Sequence, residues 1–149
     1  MSDDLKKGLE GVLVAESALS FIDGDEGRLI YRGYEIEDLA RGASYEEVLY
    51  LLWHGELPNR EQYDEFRDTM AAERHVDDGV IETVRELAEQ DEEPMAALRT
   101  GVSQLSAYDP DAAADPTDRE ANLRKGRRIT AKIPTILAAY DRVRNGEDI

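Results

Sequence analysis

Apolar residues follow two kinds of pattern along this chain. Over residues 12–34 they form short β-forming groups: Val12 and Val14, then Leu19, Phe21 and Ile22, then Leu29, Tyr31 and Tyr34. Asp23-Gly24-Asp25-Glu26-Gly27 separates the last two groups. Apolar β-formers flanking an Asp-Gly…Gly turn predict a hairpin, with glycine supplying positive φ. A two-stranded hairpin is marginal by itself and must lie on something else.

From residue 36 onward the apolar spacing is helical, and start and stop signals divide it. Ile36-Glu37-Asp38-Leu39-Ala40 predicts a short turn of helix ended by Gly42. Ser44 and Glu47 form a capping box for a helix carrying Val48, Leu49, Leu51, Leu52 and Trp53, which stops at Gly55 before Pro58. Asn59, with Gln62 at the return position, caps the next, whose apolar face is Tyr63, Phe66 and Met70. A fourth helix over about 78–90 has Val80, Val84, Leu87 and Ala88 as its stripe. Pro94 suits the first turn of a fifth, where a missing N–H costs nothing, and Glu92 and Glu93 complement its dipole. Leu98, Val102 and Leu105 are the predicted core face.

Residues 107–116 read as an acidic, Pro-flanked loop, and Thr117 with Glu120 as a second capping box. The last helix is predicted over about 118–145, with a kink or local break at Pro134. One hairpin, five or six helices and no parallel-sheet signal make the class mainly α.

Charge narrows the functions available. The chain of 149 residues carries 34 Asp and Glu against 18 Lys and Arg, a net charge of −16. Such a surface repels DNA, RNA and anionic lipid, whose binding depends on neutralising phosphates. There is no Cys, which excludes disulfides, a thiol nucleophile and Cys-ligated metal. No apolar run approaches the roughly 18 residues of a membrane span. With no apolar signal region behind Met1–Lys7, a cytoplasmic location is expected. Only Lys6, Lys7, Lys125 and Lys132 are lysines; the other cations are arginines. A Lys-poor, strongly acidic surface suits concentrated salt, which screens the self-repulsion of the folded state, so a halophilic protein is expected.

Motifs for catalysis are missing from the sequence. There is no GxxxxGK[ST], GxGxxG after a strand, HExxH or GxSxG. Asp23-Gly24-Asp25-Glu26 lacks the spaced oxygen ligands of a calcium loop and reads as a solvated turn. His54, at a helix end, suits the last carbonyls there, and His75 reads as surface. Glu46/Glu47 and Glu92/Glu93 are adjacent on helices and diverge, so they read as caps and solvated faces. The strongest cluster is basic: Arg119, Arg124, Lys125, Arg127, Arg128 and Lys132. It suits a phosphate-bearing ligand, an acidic partner or the acidic loop before it; the structural readings are favoured.

Longer runs carry a family resemblance. Gly8–Ser17, Ser20-Phe21-Ile22-Asp23-Gly24 and Gly27-Arg28-Leu29-Ile30-Tyr31-Arg32-Gly33-Tyr34-Glu35-Ile36-Glu37-Asp38-Leu39-Ala40 resemble the start of citrate synthases. Tyr45–Leu52, Gly55-Glu56-Leu57-Pro58, Pro94–Thr100 and Ala131-Lys132-Ile133-Pro134 extend the similarity over about residues 5–145. The composition resembles haloarchaeal members. The resemblance implies the N-terminal part of the large helical domain, with hairpin 12–34 and helical region 36–145, and homodimers formed by helix packing. It implies an acyltransferase condensing acetyl-CoA with oxaloacetate to citrate and CoA, entry to the tricarboxylic acid cycle. In that family an Asp removes the acetyl methyl proton and a His stabilises the enol, which attacks the ketone. No cofactor is implied, since acetyl-CoA is a substrate.

Two departures qualify the resemblance. Glu93 stands where many members have His, which alters a helix cap. Family chains are more than twice as long, and their catalytic, oxaloacetate-binding and coenzyme A-binding residues match no position here. No catalytic, cofactor-binding or metal-binding residue is therefore assigned, and the chain alone is expected to be inactive. The alternatives are a 2-methylcitrate synthase acting on propionyl-CoA and a non-catalytic helical partner module.

Overall fold

The computed structural model describes residues 15–149. Val12 and Val14, the start of the predicted extended segment, lie outside the described residues. The chain divides into two compact units, Met1–Asp64 and Glu65–Ile149.

The described part of the first unit opens with strands β1 (Ser20–Asp23), β2 (Arg28–Tyr31) and β3 (Tyr34–Glu35), antiparallel in that order. The predicted hairpin is present, with Phe21 opposite Ile30 and Ile22 opposite Leu29. In its turn, Asp23 Oδ1 accepts from the N–H groups of Asp25 and Glu26, each at 3.1 Å, and Gly27 takes φ 64°. This Asx turn is the solvated loop expected there. The third strand corrects the two-stranded expectation. Arg32 and Gly33 both have positive φ, 48° and 92°, so Tyr31-Arg32-Gly33-Tyr34 is a two-residue turn of the primed kind that returns a strand. Arg28 on β2 pairs with Glu35 on β3 across that return, Nε to Oε1 at 2.8 Å.

Helices α1 (Ile36–Gly42) and α2 (Tyr45–His54) follow. The capping box at α2 is formed as the spacing requires. Ser44 N–H donates to Glu47 Oε2 at 2.7 Å, and Glu47 N–H donates to Ser44 Oγ at 3.2 Å. The helix ends at Gly55, whose φ of 93° lets its N–H reach Leu51 O at 2.8 Å. Leu39 and Leu51 are the buried apolar residues of the two helices. Arg32 donates from Nη2 to Leu52 O at 3.1 Å, fastening the β2–β3 turn to α2.

Helix α3 (Arg60–Ala72) starts in the first unit and ends in the second. Asn59 and Gln62 bond reciprocally at its N-terminus, at 2.8 and 3.0 Å. Of its predicted apolar face, Met70 is buried and Tyr63 and Phe66 are half-buried.

The second unit is built from α4 (Asp78–Glu89), α5 (Pro94–Gln104), a 3-10 turn (Leu105–Ala107) and α6 (Arg119–Arg144). Val80, Val84 and Ala88 of α4 pack with Ala97 and Leu105 and with Ile136, Ala139 and Tyr140 of α6. The buried line is Ala97 and Gly101 on α5 with Leu105 in the 3-10 turn, rather than Leu98, Val102, Leu105; Leu98 and Val102 are partly buried beside it. The reason is steric. A Cβ on Gly101 would lie 3.1 Å from Ile136 Cγ2 and 3.2 Å from Val84 Cγ2, so the backbone of α5 fills the space between its neighbours.

One expectation for α6 needs correction, and of the kink or break expected at Pro134 the break does not occur. The cap of α6 is Asp118, whose side chain accepts from Ala121 N–H at 3.1 Å. Thr117 turns the other way, its N–H and Oγ1 donating to Asp115 Oδ1 at 2.8 and 2.7 Å, so Thr117 and Glu120 form no box. The helix also continues through Pro134 without a break. Proline removes one hydrogen-bond donor there, while Ala131 before it and Ile136, Ala139 and Tyr140 after it are all buried. Tertiary packing on both sides keeps the two halves in one helix.

The C-terminal end of α6 clamps the turn between α4 and α5. Tyr140 donates its hydroxyl to Glu92 O, Arg144 Nη1 donates to Tyr140 Oη at 3.1 Å, and Arg144 pairs with Asp91 at 2.7 Å. Asp91 itself is left-handed, at φ 55°.

The close approach at Gly101 gives a contrast to measure by denaturant titration in molar salt. Gly101→Val is expected to cost about 2 kcal/mol or more, because the core must open to admit it. Gly126→Ala, within α6 where a Cβ meets nothing within 4 Å, is expected to add roughly 0.5–1 kcal/mol. A neutral Gly101→Val contradicts the packing described.

Candidate functional site

The basic cluster on α6 is the strongest chemical signal in the sequence, and the fold shows what it meets. Residues 124, 128 and 132 are spaced by four and share one helix face. Arg124 grips Asp111 with two bonds, Nε to Oδ2 at 3.0 Å and Nη2 to Oδ1 at 2.8 Å. Arg128 grips Asp109 in the same way, at 3.0 and 2.7 Å, and also reaches Asp111 Oδ2 at 2.6 Å. Lys132 donates to His75 O. Arg127 pairs with Glu73 at 3.3 Å, and Thr135 donates to Arg74 O at 3.0 Å. Of the remaining cluster members, Arg119 is exposed and Lys125 half-buried.

The cluster therefore does what the favoured reading proposed. Arg124 and Arg128 hold the acidic loop 107–116, and Lys132 and Thr135 hold the backbone at 74–75. Arg128 is the most enclosed member, its side chain 12% exposed against 11% for Asp109 and 17% for Asp111. Burial pushes the Asp109 carboxyl upward. The Arg128 hydrogen bonds, the Asp111 N–H and the Arg128 charge outweigh it, so the net shift is downward. Hydrogen bonds from Arg124 and Arg128 hold the Asp111 carboxyl well below the usual carboxylate range.

A cleft of about 60 Å³ lies beside this network, lined by Asp77, Leu105, Tyr108, Asp109, Arg128, Ile129 and Lys132. It is far smaller than the roughly 300 Å³ that a drug-sized ligand needs. Arg128, the cation that would have to bind a phosphate there, is already engaged by Asp109 and Asp111, so the arrangement works as a brace.

The other sequence candidates also occupy structural positions. His54 is exposed in the last turn of α2 and stacks on Tyr50, with ring centroids 4.2 Å apart. His75 is exposed between α3 and α4. Glu47 completes the α2 capping box, and Glu93 caps α5 by accepting from Met95 and Ala96 N–H at 2.9 and 3.1 Å. Glu92 accepts from Glu93 N–H at 3.0 Å. Among the described residues, no group of three or more His, Asp or Glu side chains is placed to hold a metal ion. No helix among them is long and apolar enough to cross a membrane.

Sequence reasoning identified the cations of the network and missed which acids they choose. A usable signal was present: Asp109-Pro110-Asp111 offers two carboxylates from one rigid turn, and Arg124 and Arg128 offer two forks from one helix face.

Arg128→Met leaves both carboxylates without their shared partner and is expected to lower Tm by roughly 5 °C at neutral pH. The two acids have lowered folded-state pKa values, so their contribution is present above the unfolded-state pKa and is lost as pH falls through the folded-state values. The gap in Tm between the wild type and Arg128→Met should therefore narrow as pH drops below about 4. A gap independent of pH contradicts the brace.

Comparison with known proteins places this architecture. The family model described as "Citrate synthase, C-terminal domain" matches residues 8–149. The citrate synthase of Haloferax volcanii is 68% identical over 149 residues, which are 99% of this chain and 39% of that protein. A crystal structure of citrate synthase from Pyrobaculum aerophilum superposes with a TM-score of 0.86 at 36% identity, covering 95% of this chain and 37% of that one. A structure from Thermoplasma acidophilum, described as a ternary complex of citrate synthase with carboxymethyl coenzyme A and oxaloacetate, gives 0.82 at 26% identity, covering 95% and 36%. This chain thus spans little more than a third of the length of the proteins it matches, and with one family model covering nearly all of it, the chain belongs to the citrate synthase family.

Proposed function

We propose that this chain is the N-terminal part of the large helical domain of a citrate synthase, and that its work is scaffolding. The observation that carries the reading is the 68% identity to the Haloferax volcanii citrate synthase, confined to 39% of that protein. The described side chains with the strongest electrostatic coupling brace a loop, and the polar pairs at helix ends cap helices. The complete enzyme would condense acetyl-CoA with oxaloacetate to citrate and CoA at the entry to the tricarboxylic acid cycle. Its acid–base residues would lie beyond Ile149 and act in a site closed to water. The relative solved with carboxymethyl coenzyme A and oxaloacetate supports that substrate pair.

The same reading makes the complete enzyme a cytoplasmic homodimer, associating through its helices. Leu137 and Met95, 38% and 65% exposed on α6 and α5, are apolar side chains that further packing would cover. The net charge of −16 and the choice of Arg over Lys support function in concentrated salt, which screens the repulsion among carboxylates.

Two outcomes are expected. The purified chain should release no CoA from acetyl-CoA in the presence of oxaloacetate, measured with a thiol reagent. The polypeptide extended to the length of its relatives should do so, and faster with acetyl-CoA than with propionyl-CoA. Oxaloacetate-dependent release by the 149-residue chain contradicts the scaffold reading, and a preference for propionyl-CoA favours the 2-methylcitrate synthase alternative. Dialysis from molar salt into dilute buffer should reduce helical circular dichroism; an unchanged spectrum contradicts the halophilic reading.

A further inference from the structure

The end of α6 carries a reactive sequence that the scaffold role does not use. Of the three Asn residues, Asn59, Asn122 and Asn145, Asn145 is the one followed by Gly. Glycine has no Cβ, so its backbone nitrogen approaches the preceding side chain with little hindrance. In deamidation, hydroxide removes the Gly146 amide proton and that nitrogen attacks Cγ of Asn145. The new N–Cγ bond closes a five-membered imide as the Cγ–Nδ2 bond breaks, and the leaving nitrogen takes a proton from water to depart as ammonia. Water then opens the imide at either carbonyl, leaving aspartate or isoaspartate.

The folded turn opposes each part of that step, although both residues are exposed. Gly146 N–H donates to Val143 O at 2.9 Å, so the attacking nitrogen is tied up. Glu147 N–H donates to Arg142 O at 2.8 Å, and Gly146 takes φ 74°, which together close a left-handed helix cap. Asn145 donates from Nδ2 to Asp141 O at 2.8 Å and to Asp141 Oδ1 at 3.3 Å, so the leaving group is engaged as well. At ψ 5° the Gly146 nitrogen is turned out of the plane that the imide ring requires.

We infer that Asn145 is a deamidation site gated by the C-terminal turn of α6: it is protected while the turn is closed and converted when the turn opens. The change reinforces itself. A carboxylate at position 145 sits at the negative end of the helix dipole and one turn from Asp141, and it no longer donates to Asp141. Each event therefore weakens the turn that prevented it, which makes the site an irreversible record of opening at the end of α6. The inference does not depend on the enzymatic reading.

The test incubates the full chain in molar salt at mildly alkaline pH, with and without guanidinium, and follows mass gain at Asn145 by peptide mapping. Conversion is expected to be about tenfold or more slower in the folded chain than in the denatured chain, with Asn59 and Asn122 unchanged over the same period. Arg142→Gly weakens the last turn and removes the Arg142–Glu147 pair at 3.2 Å. It should speed conversion about fivefold in the folded chain and leave the denatured rate alone. Equal rates in folded and denatured chain, or an Arg142→Gly rate equal to wild type when folded, would overturn the gate. No conversion of Asn145 in the denatured chain would overturn the site itself.

Discussion

In the unit Glu65–Ile149, α5 packs so close to α4 and α6 at position 101 that a side chain there would crowd both neighbours. Ile136 and Val84 already stand at the limit of contact with a Cβ built there. With that close approach, Ala97 and Gly101 are the buried face of α5, continued by Leu105 in the 3-10 turn, against Ile136, Ala139 and Tyr140 from α6. The burial explains why α6 tolerates Pro134. One missing donor is a local loss, whereas breaking the helix would unseat side chains on both sides of it.

The polar contacts of α6 follow from the same placement. Once its apolar face is fixed, Arg124 and Arg128 stand over the loop after α5, Lys132 and Thr135 over the backbone before α4, and Tyr140 and Arg144 over the turn between α4 and α5. One helix thereby holds three connections, as the proposed scaffold role requires. In the cluster that looked most like a binding site, Arg124, Arg127, Arg128 and Lys132 have internal partners.

Much of this was legible in the sequence, for reasons particular residues make clear. Ser44/Glu47 and Asn59/Gln62 are local, reciprocal signals, and both formed. The α4 stripe is large and apolar, and Val80, Val84 and Ala88 are buried as expected. What escaped was small or distant. Arg32-Gly33 is a weaker turn signal than Asn-Gly, so β3 was missed. Ala97 and Gly101 bury their face without appearing in a count of large apolar residues. At the start of α6, Asp118 outcompeted Thr117 because Asp115 offered Thr117 a nearer acceptor. The acids chosen by Arg124 and Arg128 lie 13 to 19 residues away, beyond the reach of periodicity. For the site, the sequence pointed correctly to the cations and to their structural role, and the family resemblance rested on runs such as Tyr31–Ala40 that span several elements.

A scaffolding part of citrate synthase, as proposed for this chain, must belong to a longer polypeptide. The intact mass of the native protein, isolated from the cells that make it, tests this most directly. The expected result is a single polypeptide of more than twice 16.7 kDa containing this sequence. A native polypeptide of 16.7 kDa would contradict it, and would make the chain a separate helical subunit.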